Sequence, residues 1–256
     1  MKIAVCLSGQ PRTIEHTYKN ILHHFSNYDV DYFCQSWNFN TYKRKLSEPK
    51  KIYWEDEKEV DSTTLNDMIQ EYFKPKKSII QENKDVPVVQ EFCGLFYSIM
   101  AANFLKKQYE IENNFKYDFV VKTRYDIIFD PEAKFLLCPE TKISNHLDIF
   151  VNNSSRMMYE YQRLNVNDMF FYGSSSAMDI MTSLYHWMIL ELQNRRSDDW
   201  ENVGPGVRMT DFAAERNMIV HKTGQPWEIV YRPEAIPLDS MLQFKEIATV
   251  HYDFWS

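Results

Sequence analysis

Two apolar runs, Phe119-Val120-Val121 and Ile127-Ile128-Phe129, enclose Lys122, Arg124 and Asp126. A run of β-branched and aromatic residues reads as a buried strand. Charges that follow such a strand stand at its carboxyl end, where open α/β sheets bind ligands. Two cations beside a carboxylate are what an anionic ligand needs, alone or with a metal ion. The plain alternative is a strand, a turn and a surface ion pair, because ion-pair networks also gather charges. A second group, Ser8-Gly9-Gln10-Pro11-Arg12-Thr13, closes the apolar run Lys2 to Leu7. Gly9 can adopt positive φ or admit a ligand close to the backbone. Arg12 can reach a phosphate or carboxylate, and Thr13 is placed to cap the next helix.

The elements that must position these groups follow from periodicity. Lys2 to Leu7 and Val30 to Trp37 read as buried strands, with Ile14, Tyr18, Ile21, Leu22 and Phe25 at helical spacing between them. Trp37 emerges at the end of the second strand, as core or as a stacking surface for a base. Asn40 to Lys51 reads as a polar, basic loop. Short strands are expected at Ile52 to Trp54 and Ser78 to Ile80, with a helix over Leu65 to Phe73 between them. Val88 to Glu112 carries the longest helical pattern, and its small residues Gly94, Ser98, Ala101 and Ala102 favour close packing on a sheet. Farther on, strands are expected at His146 to Val151 and just before Gly173. A helix over Ala177 to Leu192 and another over Arg208 to Arg216 follow, then strands at Met218 to His221 and Glu228 to Tyr231. The alternation of strand and helix argues for an α/β fold with a mostly parallel central sheet flanked by helices, in a single domain. Residues 1–130 form the expected ligand-binding half and 131–256 the other half.

Composition narrows the function. The chain has 256 residues, 44% hydrophobic and 25% charged, the proportions of a globular protein. Its net charge of −7 and its lack of a long Lys/Arg cluster beyond Lys43-Arg44-Lys45 argue against nucleic-acid binding. Aromatic residues make up 15%, enough to line a pocket for a flat or sugar-like ligand as well as to fill a core. Cys6, Cys34, Cys93 and Cys138 form no C-x-x-C pair, so a zinc ribbon is not expected. Free thiols and the lack of a signal peptide or membrane-spanning apolar stretch point to the cytoplasm. Neither G-x-G-x-x-G nor G-x-x-x-x-G-K-[ST] follows the first strand, which argues against a dinucleotide or P-loop cradle.

In order, Ser8-Gly9-Gln10-x-Arg12-Thr13, Val30-Asp31-Tyr32-Phe33…Trp37, Lys122-Thr123-Arg124-Tyr125-Asp126 and Asn167-Asp168-Met169…Gly173 resemble GT-A-type nucleotide-sugar glycosyltransferases. They are most similar to a group of small bacterial and viral glycosyltransferase-like proteins, over roughly residues 2 to 220. The resemblance implies a GT-A-like, Rossmann-like fold. It implies a nucleotide-sugar donor, UDP- or GDP-linked, and a glycan or other hydroxyl acceptor. In such enzymes the strand ends in a D-x-D or D-D-D motif that holds the donor diphosphate through Mn²⁺ or Mg²⁺. Here Arg124 falls at the first acid, Tyr125 at the second and Asp126 at the third, a degenerate motif. Two arrangements stay open. Asp126 holds a metal with a second ligand such as His251, or Arg124, Lys122 and Arg12 neutralise the leaving diphosphate without one.

The donor-binding set implied by the resemblance is therefore Ser8, Gly9, Gln10, Arg12, Trp37, Lys122, Arg124 and Asp126. An inverting transferase also needs a carboxylate to accept the acceptor's proton. Asp168 is the first candidate, and its alternative is a turn-capping role. Asp211, four residues before Glu215 on one helical face, is the second; its alternative is a solvated helix face. A binding module that lost its D-x-D acid and a nucleotidyltransferase are the competing functions.

Overall fold

The structure is a computed structural model describing residues 1–46, 52–82, 93–130, 132, 134–137, 147–152, 166, 168–194, 205–223 and 227–229. In chain order the strands are β1 (Lys2–Gly9), β2 (Asp29–Trp37), β3 (Phe39–Leu46), β4 (Ile52–Glu59), β5 (Lys77–Gln81), β6 (Phe119–Thr123), β7 (Ile127–Phe129), β8 (Asp148–Asn152), β9 (Phe171–Gly173), β10 (Ile219–Thr223) and β11 (Trp227–Ile229). The helices are α1 (Ile14–His24), α2 (Ser62–Phe73), α3 (Cys93–Asn113), α4 (Ser175–Met181), α5 (Leu184–Asn194) and α6 (Pro205–Glu215).

Seven strands form one sheet in the order β10-β8-β9-β6-β1-β2-β5. β5, β2, β1 and β6 run parallel. β9 is antiparallel to both neighbours, and β8 and β10 are parallel to each other. This is an α/β fold with a mostly parallel central sheet, and it joins strands from both halves of the chain.

Alternation along β1 divides the core into two layers. Ile3, Val5 and Leu7 pack with Ile14 and Ile21 of α1 and with Leu65 and Ile69 of α2. Ala4 and Cys6 pack with Phe96, Ile99 and Ala102 of α3. Helices thus cover both faces, which is why the strands read as unbroken apolar runs. Cys6 and Cys34 are buried free thiols inside these layers, and burial pushes the Cys6 thiol up to about 12.

Several elements depart from expectation. The basic stretch expected as a loop forms most of β3, which pairs antiparallel with β4 in a separate ribbon. Hairpin pairing overrode its polarity, and β4 extends well past Trp54 to Glu59. β7 leaves the central sheet and pairs with β11. The helix expected over Ala177 to Leu192 is two helices, α4 and α5. Thr182 returns its hydroxyl to the Met178 carbonyl (2.8 Å) and Ser183 to that of Ile180 (2.7 Å), alternatives to helix continuation. Thr13 occupies the N-cap of α1, but its side chain makes no capping bond. The start of the long helix at 88–92, the loop at 153–165 and the aromatic tail lie outside the described residues.

Candidate functional site

The carboxyl ends of β1, β2 and β6 lie side by side, in parallel register Leu7 to Thr123 and Ser8 to Gln35. This register carries the loop after β1 to the turn after β6, although more than a hundred residues separate them. Gly9 ends β1 at φ +117°, a conformation that L side chains rarely adopt, so glycine is required there. Three residues on, Arg12 takes φ +33°, an uncommon conformation for a side-chain-bearing residue. Strain of this kind persists where surrounding contacts hold it. Here Arg12 Nε donates to Gln10 Oε1 (3.0 Å), and its Nη1 donates to Asp126 Oδ2 (2.6 Å).

Asp126 is the centre of the cluster. Arg124 approaches it side-on, with Nε donating to Oδ1 at 2.8 Å and Nη2 to Oδ2 at 2.6 Å. Both carboxylate oxygens therefore accept from guanidinium groups, and the residue is 1% exposed. Burial alone would raise this carboxyl, but the charges of Arg124 and Arg12 outweigh it and bring it down to about 2. Tyr125 between them turns the other way. It is fully buried beside Phe73, its hydroxyl donates to the Gln35 carbonyl (3.1 Å), and its own carbonyl accepts from Thr17. The residue expected at the second position of a degenerate motif is thus a core residue.

Lys122 precedes this turn inside β6, paired with Cys6 on one side and Phe171 on the other. It is 1% exposed, and its ammonium donates to the carbonyls of Asp168 and Met169 rather than to a carboxylate. Burial lowers its affinity for a proton, Asp168 raises it, Arg124 lowers it and Asp126 raises it, leaving Lys122 at about 7. By strand alternation Ser8 projects to the same α3 face as Cys6. Its hydroxyl is buried with no hydrogen-bond partner, as is that of Thr123.

A buried amide relay supports the loop from beneath. The Gly9 N–H donates to Gln35 Oε1 (3.1 Å), Gln35 Nε2 donates to Gln81 Oε1 (3.1 Å), and Gln81 Nε2 donates to the Tyr97 hydroxyl on α3. Gln35 and Gln81 were not among the candidates read from sequence. The available signal was a polar residue at a fully buried strand position, since a buried amide must find partners.

Ser8, Gly9, Gln10, Arg12, Lys122, Arg124 and Asp126 are brought together at this edge, with the Asp168 backbone against Lys122. Trp37 is not an open stacking surface. It is 4% exposed, its indole N–H donates to Ser98 Oγ (2.7 Å), and its ring packs against Phe39 and Tyr97. Asp211 is exposed on α6, which packs on α4, α5 and β10 at the far edge of the sheet, with β8 and β9 intervening before β6. Glu215 on the same helix accepts from the Trp187 indole (2.8 Å). Neither reaches the cluster. His221 stacks on Phe150 at 4.8 Å on β10 and β8, and His251 lies outside the described residues.

The donor set does not fit a divalent cation at Asp126. A metal would have to displace two guanidinium groups from the only carboxylate of the turn, against their like charge. Among the described residues no group of three His, Cys, Asp or Glu residues converges elsewhere to hold one.

No family model matches the chain, and no curated protein does. Among solved structures, the chain is similar to the nucleoside-diphosphate-sugar pyrophosphorylase from Vibrio cholerae RC9. The match has 10% identity and a TM-score of 0.42, covering 91% of this chain and 96% of that one. At that distance it assigns no residue a role. No helix among the described residues is long and apolar enough to cross a membrane.

Proposed function

We propose that the protein is a nucleotide-sugar transferase that binds the diphosphate of its donor at the carboxyl edge of β1, β2 and β6. The observation that carries this reading is the convergence of Arg12, Lys122 and Arg124 on one strand edge beside Ser8 and Gly9. Cationic side chains around a leaving diphosphate stabilise the charge that builds as its bond to sugar breaks. Glycosyl transfer is the first reading, supported by the ordered motifs of the sequence. Asp168, the candidate proton acceptor, is half-buried beside Lys122, next to where the leaving group would sit.

Nucleotidyl transfer is the second reading. The same cations would there hold pyrophosphate as it attacks or leaves the nucleotide α-phosphorus. One incubation separates the two. UDP- and GDP-sugars are supplied with a panel of hydroxyl acceptors, and separately with pyrophosphate. Release of UDP or GDP with a glycosylated acceptor supports glycosyl transfer. Formation of UTP or GTP with sugar 1-phosphate, only when pyrophosphate is present, supports nucleotidyl transfer. Binding without either product points to a binding module, and absence of binding refutes both readings.

A further inference from the structure

We infer that the donor diphosphate is held by side-chain cations alone, with no divalent ion bridging it to Asp126. This rests on the function proposed above and specifies how that site recognises its ligand. One of the two arrangements left open by the motif resemblance makes Asp126 a metal ligand, but its geometry gives it another task. Each of its oxygens already accepts from a guanidinium at 2.6–2.8 Å, and Arg124 engages it through two parallel N–H donors. That side-on fork is the geometry in which guanidinium binds carboxylate most firmly. Asp126 therefore orients two cations instead of receiving one from solution.

A second, independent observation lies on the α3 face of the same strand edge. Lys122 is a buried ammonium whose partners are two backbone carbonyls, with no carboxylate in an ion pair. Ser8 sits on the adjacent strand, two residues beyond the Lys122 partner Cys6; the residue is 2% exposed and its hydroxyl is unbonded. A buried hydroxyl left without a partner is uncommon in a folded chain. A buried cation whose hydrogen bonds go only to neutral carbonyls is costly. A phosphate oxygen between Ser8 and Lys122 would satisfy both groups. The class of ligand is a nucleoside diphosphate or pyrophosphate, in which two linked phosphates can meet Lys122 and the Arg12–Arg124 pair together.

The test is calorimetric titration of pyrophosphate, UDP, GDP and their sugar conjugates into the full chain. Each is run in EDTA and again with Mn²⁺ or Mg²⁺. Pyrophosphate or a nucleoside diphosphate should bind in EDTA. Lys122→Met and Arg124→Gln should each weaken that binding by about tenfold, and circular dichroism confirms that each variant is folded. Should Arg124→Gln fail to fold, Lys122→Met alone decides, because methionine fills the buried lysine's space without charge. Binding that appears only with a divalent ion overturns the inference, as does Lys122→Met binding within twofold of wild type. If sugar nucleotides bind only with Mn²⁺, the inference falls and the proposed function stands. If pyrophosphate binds in EDTA but no sugar nucleotide binds under any condition, the cation-only site stands and the proposed function falls. If nothing binds, both fall.

Discussion

Lys122→Met offers a physical test of the site that needs no ligand. Burial holds the Lys122 ammonium at about 7, whereas an unfolded lysine titrates at 10.5. Between these values the unfolded chain keeps a proton that the folded chain has released. Unfolding then takes up a proton, so wild-type stability rises with pH across that window and is lowest below about 7. For one such group, linkage gives a gain of about 2–3 kcal/mol between pH 6 and pH 9. The variant lacks the titrating group, so this gain is absent from its curve. Removing the ammonium also leaves the Asp168 and Met169 carbonyls without their donor, which costs about 1–3 kcal/mol at every pH. That constant offset decides which protein is more stable at a given pH. The difference between their curves is the diagnostic quantity, because other titrating groups cancel in it. Urea unfolding of both proteins at pH 6, 7.5 and 9, followed by far-UV circular dichroism, measures it. Relative to the variant, wild type should gain about 2–3 kcal/mol over that range. Curves that stay parallel within about 0.5 kcal/mol would refute the assignment of Lys122 as a buried, readily deprotonated ammonium.

The remaining expectations use other parts of the molecule. Pyrophosphate binding should weaken as pH rises well above 7, and Lys122→Met should flatten that dependence; unchanged pH profiles would remove Lys122 from the ligand site. Asp126→Asn leaves two half-buried guanidinium groups facing a neutral amide and should lower stability by about 1–3 kcal/mol, read from urea midpoints. Gly9→Ala forces a side chain into φ +117° and should cost about 1–3 kcal/mol, although a Cβ there would meet nothing within 4 Å, so a neutral result would contradict backbone strain as the reason for glycine. Trp37→Phe removes the indole donor to Ser98 and should lower stability by about 1 kcal/mol while leaving nucleotide affinity unchanged, and a large loss of affinity would restore the stacking role.

Fold class was legible because burial on both faces writes itself as unbroken apolar strands, as in Ile3 to Leu7 and Phe119 to Val121. The candidate site was legible in part for the same reason: polar residues that interrupt such runs mark strand ends. What was hidden depended on partners distant in sequence. The basic stretch after Phe39 became a strand because β4 was there to pair with it. Trp37 reads as core by only a small margin over a stacking platform until Ser98 of α3, distant in sequence, claims its N–H. Asp211 and Glu215 have the chemistry and spacing of a candidate base, and α6 packs at the far edge of the sheet from the Asp126 cluster, which no local pattern encodes. Gln35 is not legible in the sequence because a single polar residue in a buried strand carries no sign of its relay through Gln81 to Tyr97.

Under the proposed reading, an arginine at position 124 in place of an acid changes what Asp126 does more than whether it matters. Where carboxylates hold a metal, the positive charge arrives with the ion, and the carboxylates must stay open to receive it. With Arg124 and Arg12 the charge is built into the chain, and the difficulty becomes holding two long, flexible side chains in place. Asp126 fixes both guanidinium planes, and Gln10 and the positive φ of Arg12 fix one of them further. Ordering these side chains before the ligand arrives removes an entropic cost of about 0.5–1.5 kcal/mol per side chain from binding. The same carboxylate competes with the ligand for guanidinium donors, so it should set affinity in two opposing ways. Arg124→Lys distinguishes which dominates. A lysine keeps the charge but loses the planar fork and the side-on pairing with Asp126. If pre-ordering is what the cluster provides, this variant binds pyrophosphate nearly as weakly as Arg124→Gln despite its restored charge. If charge alone suffices, it binds as wild type does, and the role given to Asp126 fails.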